Sequence, residues 1–157
     1  MAGSLAALLS CEGVVSLAYF ETTGWRGLME TDLGSPLPAK FDSSPDEFFP
    51  LYYVLEFVAG ASSALRLDNA LSDCVSVLGL RDRDGSTRYL LANLEAVSKR
   101  IRCRVATNAI ELRILSETNL DALRKGTLPE AKHLSLSGDA LYFDFPGMSL
   151  ALIRLKP

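Results

Sequence analysis

The sequence is short of several things. Its three cysteines, Cys11, Cys74 and Cys103, are odd in number and far apart. They form no Cys-x-x-Cys pair and share no metal-ligand spacing with His133, the single histidine. A disulfide framework and a zinc site are therefore not expected, and no cofactor is. No Lys/Arg block appears, and the formal net charge is only −3, so a nucleic-acid partner is not expected. No apolar run approaches the length that crosses a bilayer, so no membrane role is expected. The start, MAGSLAALLSCEG, lacks a basic leader. It reads as a helix over Ser4–Glu12 closed by Gly13, not as a secretion signal, and the cytoplasm is the default location. No Gly-x-Ser-x-Gly stretch exists to support a serine nucleophile.

What is present is apolar and patterned. Of 157 residues 48% are hydrophobic, enough for one ordinary domain or two small ones. Val14–Phe20 is a short, nearly unbroken apolar run, as in a strand buried on both faces. It stops on Glu21. Gly24 and Gly27 then bound a turn that carries Trp25, the only tryptophan, and Arg26. A strand ending in a carboxylate and a glycine-bounded loop is how (β/α) barrels present chemistry. A long loop follows, over residues 22–44. Ser44-Pro45-Asp46-Glu47 has the form of a helix start, with Pro50 as the other candidate first-turn residue. The helix to about Ala59 is apolar nearly all round, so it needs cover on more than one side.

After Gly60 the period changes from helical to alternating. Leu65/Leu67, Val75–Leu80, Tyr89–Leu94, Ile101–Val105, Ile110–Ile114, Leu141–Phe145 and Leu150–Leu155 read as strands. Asp84-Gly85 is a hairpin turn. Asn119–Lys125 is a helical turn or two, ended by Gly126. The expected fold class is α+β: the last β/α unit of a TIM (β/α)8 barrel over residues 1–60, then an antiparallel β-sandwich over 61–157. One βα unit closes no barrel, so the first part is expected to be the tail of a larger domain.

The stretch Tyr19-Phe20-Glu21-Thr22-Thr23-Gly24-Trp25-Arg26-Gly27 resembles the carboxyl-terminal part of the D-apionate lactonase (D-apionolactonase) family. So do Met29-Glu30, Gly34-Ser35-Pro36 and Phe49-Pro50-Leu51-Tyr52, with a weaker likeness through Leu90–Leu94. The resemblance implies a glycosidase-like barrel followed by a β-sandwich, and hydrolysis of a branched-sugar lactone to its aldonate. In such barrels the working carboxylates usually stand on earlier strands, so this chain alone is expected to be inactive and to self-associate through exposed apolar surface.

Candidate roles follow from side-chain chemistry. Glu21 is a candidate base toward water attacking a lactone carbonyl, or a structural carboxylate. Trp25 suits the apolar face of a sugar ring, or anchors its loop. Arg26 suits the carboxylate of an opened lactone, or pairs with Glu21, Glu30 or Asp32. His133, alone, reads as a surface residue. Cys11 and Cys74 read as buried thiols, and the Arg102/Arg104/Arg113 row as a solvated sheet face. Two rival readings remain: a glycoside hydrolase of the same architecture, which needs two carboxylates at a defined separation, and a non-catalytic β-sandwich module.

Overall fold

A computed structural model describes residues 21–65, 67, 74–105, 107 and 109–157, together with Ser16. The expected helix Ser4–Glu12, the strand Val14–Phe20 and Cys11 lie outside the described residues, Ser16 apart. The elements are α1 (Pro50–Val58), β1 (Ser63–Leu65), β2 (Val75–Arg81), β3 (Thr87–Asn93), β4 (Lys99–Arg104) and β5 (Ile110–Leu115). A 3-10 turn at Glu117–Asn119 leads into α2 (Leu120–Arg124), followed by β6 (Lys132–Leu134), β7 (Ala140–Phe145) and β8 (Ser149–Leu155).

Six strands form one antiparallel sheet in the order β1-β2-β3-β8-β5-β6. The other two, β4 and β7, pair as a separate ribbon. The central strands β3 and β8 are apolar on both faces. Leu91, Ala151 and Ile153 point to a core shared with Ile101 of β4 and Leu141, Phe143 and Phe145 of β7. Leu90, Ala92 and Leu152 point the other way, onto Tyr53 and Val54 of α1 and Leu123 of α2. Each face therefore has its own cover, ribbon on one side and helices on the other. The ribbon itself is buried on one face only. Ile101 and Phe143 lie in, while Arg100, Arg102, Tyr142 and Asp144 lie out, which is the alternation its sequence shows.

This corrects the sandwich expectation. The described residues form a mixed α+β domain with neither a closed barrel nor a clear two-sheet sandwich. The physical reason lies in β3 and β8: strands apolar on both faces need three layers, not two. One short strand, β6, was not foreseen. It pairs with β5, placing exposed His133 opposite Glu111.

The helix start also differs. Ser44 N–H does donate to the Glu47 carboxylate, at 2.7 Å, as a capping box would have it. No helix follows, because Asp46 turns left-handed, with φ +59°, and Phe48 and Phe49 spend their N–H groups on Arg124 and Leu28 carbonyls. The helix begins at Pro50, where a missing N–H costs nothing. The β2–β3 hairpin closes as expected on Gly85, at φ +86°. Gly147 has a different task. A Cβ there would lie 2.1 Å from the Ala96 carbonyl oxygen, so the β7–β8 turn needs the bare backbone.

Candidate functional site

The segment 21–49 is braced rather than irregular. Gly24 N–H donates to Met29 O at 2.8 Å, Gly27 N–H to Gly24 O at 2.6 Å and Leu28 N–H to Thr22 O at 3.1 Å, closing a compact turn. A Cβ on Gly27 would strike the backbone of Glu21–Thr23 at under 3 Å, so the turn closes this tightly only with glycine. Met29 bridges both Thr23 and Phe48, tying the turn to the segment before α1.

Trp25 is half-buried at the head of this turn. Phe41 stacks on it, with ring centroids 4.5 Å apart and planes 25° from parallel. The Arg26 guanidinium lies over the same indole, 4.4 Å from its centroid, a cation–π contact. The structure thus brings Trp25 and Arg26 together and adds Phe41, which is 40% exposed. Arg26 is exposed and has no carboxylate partner among the described residues. Glu21 stands exposed at the start of the turn. None of the three foreseen ion pairs of Arg26 forms among the described residues. Glu30 is instead buried and accepts from Thr31 N–H, at 2.9 Å, and from the Ser43 hydroxyl. Phe41 was not foreseen, because it sits in a polar stretch without period.

A second cluster joins this segment to the sheet. Glu47, buried, pairs with Arg124 of α2, which also donates to Asp42 O at 2.7 Å. The Glu47 carboxylate holds the Arg124 proton more tightly than usual. A depression of about 630 Å³ opens there, with Asp42, Asp46, Asp121 and Lys125 on its walls. Among the described residues, no three His, Cys, Asp or Glu side chains converge as metal ligands, and no helix is long and apolar enough to cross a membrane.

The remaining foreseen residues are placed as follows. Cys74 and Cys103 are half-buried and outside any disulfide among the described residues, and burial pushes the Cys103 thiol up. Arg102 and Arg104 pair with Asp139 on the outer face of the ribbon. Arg113 instead donates to Pro129 O at 3.2 Å.

No protein-family model matches the chain, and no curated protein matches it. Solved structures do. A family 30 subfamily 8 xylanase from Clostridium acetobutylicum matches 83% of this chain at 12% identity, with TM-score 0.57. The fold resembles part of a glycosidase-type fold. A family 30 endoxylanase from Clostridium papyrosolvens matches 70% of the chain at 12% identity and a bifunctional glucanase-xylanase from a metagenome library 71% at 19%, both with TM-score 0.51. The chain spans only 31%, 28% and 23% of those three proteins. At these identities the likeness is one of fold alone.

Proposed function

We propose that this chain is part of a carbohydrate-active hydrolase that cleaves glycosidic bonds of the xylan or glucan type. The fold likeness to three enzymes named for those activities supports this, over 70–83% of the chain. In this reading the Trp25–Arg26 turn belongs to the substrate-binding surface, and the paired carboxylates that glycoside cleavage needs lie elsewhere in a longer protein.

One observation favours a second reading, hydrolysis of a sugar lactone. The Arg26 guanidinium lies over Trp25, 4.4 Å from its centroid, with its donors unspent on any described carboxylate. That geometry suits the bidentate grip of a carboxylate, the group that lactone opening creates. Glu21 would then take a proton from water as the water oxygen bonds to the lactone carbonyl carbon and the carbonyl electrons move onto oxygen; their return breaks the ring C–O bond, and Glu21 gives its proton to the departing ring oxygen.

Trp25 is the only tryptophan, so its emission reports the site directly. Xylo-oligosaccharides, gluco-oligosaccharides and a sugar aldonate, each titrated into the 157-residue chain, separate the readings. The first reading expects a saturable change with an oligosaccharide, the second with the aldonate, and Arg26→Ala should abolish only the second. No change with any of them would remove this turn from the binding surface. In the longer protein, Glu21→Gln should lower turnover with near-normal melting; unchanged turnover makes Glu21 structural.

A further inference from the structure

Phe41 and Trp25 are sixteen positions apart, yet their rings stack. Backbone bonds join the two segments further along, from Glu30 N–H to Glu47 O and from Asp46 N–H to Thr31 O, but none runs between Phe41 and the Trp25 turn. The Trp25 turn is closed by bonds among residues 22–29. Phe41 N–H bonds only to Leu37 O, inside its own local turn. Nearest to Phe41, a side-chain bond spans the two segments. Glu30 follows the Met29 bridge directly, and its carboxylate takes the Ser43 hydroxyl, two residues past Phe41. Its other oxygen takes Thr31 N–H, which fixes the carboxylate to its own strand. Glu30 is 1% exposed although it carries a charge and has no cationic partner among the described residues. A carboxylate is seldom placed so unless its hydrogen bonds are used.

We propose that Glu30 is a positioning residue, which holds Phe41 over Trp25 through Ser43 and so makes Phe41 the exposed aromatic of the ligand-facing surface. The ligand part rests on the reading of Trp25 and Arg26 as a binding turn; the positioning does not. Arg124 independently grips Asp42 O. Loss of the Glu30 bond therefore frees the ring without detaching the segment.

The test uses the 157-residue chain and Trp25 emission with acrylamide as quencher. Ser43→Ala and Glu30→Gln should both raise quenching and weaken the near-ultraviolet dichroism of the ring pair, as Phe41→Leu does. The unstacked population should rise about tenfold, the effect of losing one charge-assisted hydrogen bond. Ser43→Thr keeps the hydroxyl and should restore the parent values. Ser44→Ala, at an exposed neighbour that bonds through its backbone N–H and carbonyl, should change nothing. Should Glu30→Gln fail to fold, the Ser43 pair decides. Parent-like quenching in Ser43→Ala, or quenching in Ser43→Thr as high as in Ser43→Ala, overturns the positioning. Raised quenching in Ser43→Ala with oligosaccharide and aldonate binding unchanged overturns only the ligand role of Phe41.

Discussion

Arg88 is 4% exposed, in the middle of the sheet face that packs on α1. Its guanidinium donates to Phe57 O and, at 3.2 Å, to Ala59 O, the carbonyls that the end of α1 leaves unpaired, and it pairs with Asp82. Replacing it by Met removes all three bonds while filling similar space. Breaking a buried ion pair costs about 3–5 kcal/mol. Two features place this case at the low end. Asp82 is 20% exposed and keeps the Ser86 hydroxyl at 3.0 Å. Arg88 Nε is already buried without a partner, so its removal returns some energy. The expected loss is about 3 kcal/mol, or roughly 6–12 °C in melting temperature for a chain of this size. Asp82→Asn should cost less, about 1 kcal/mol, because the arginine keeps both carbonyls. Urea and thermal melts of both variants and of their double mutant measure it. An Arg88→Met protein melting within about 2 °C of the parent would refute the view that this residue fastens α1 to the sheet.

Stability should fall in alkali. Burial is the first cause raising the Cys103 thiol above its ordinary 9.0 and Tyr53 and Tyr89 above 10.0. The folded state thus keeps these protons longer than the unfolded one, so their stabilisation is complete below the ordinary values and lost as pH rises through the raised ones. Melting from pH 8 to 11 should show the decline. Cys103→Val should delay its onset, and Tyr53→Phe should reduce its later part and cost about 1 kcal/mol for the bond to Leu123 O. A flat profile would contradict this. Gly147→Ala should cost about 3 kcal/mol or more, since the clash is with the backbone of Ala96, which cannot swing aside as a side chain can. Gly85→Ala, strained in φ but open in space, should cost only about 1 kcal/mol. The division at residue 60 is a proposal with its own measurement: a chain of residues 61–157 should melt cooperatively but below one of residues 44–157, which keeps Tyr53 and Val54 over Leu78, Leu90 and Leu152. A broad, non-cooperative melt of the shorter chain would refute the division.

Local rules were legible wherever one short stretch of chain decides the outcome. Alternation marked β4 and β7 because a strand buried on one face must alternate. Asp84-Gly85 and Gly126 marked ends because positive φ is a property of single residues. The grouping of Trp25 with Arg26 was readable because two glycines bound the turn that holds them. What decided the rest acts across the chain. The continuous apolar runs of β3 and β8 state that both faces are covered, but not that one cover is a ribbon and the other a pair of helices. Ser44–Glu47 has the letters of a helix start, and Arg124, seventy-seven residues past Glu47, takes its carboxylate instead. Arg88 breaks an apolar strand for the sake of carbonyls about thirty residues earlier. Phe41 reaches Trp25 only because Glu30 is buried between their segments. Periodicity and turn chemistry record what each residue does to its neighbours in sequence; which distant group a buried charge or an aromatic ring meets is set by packing.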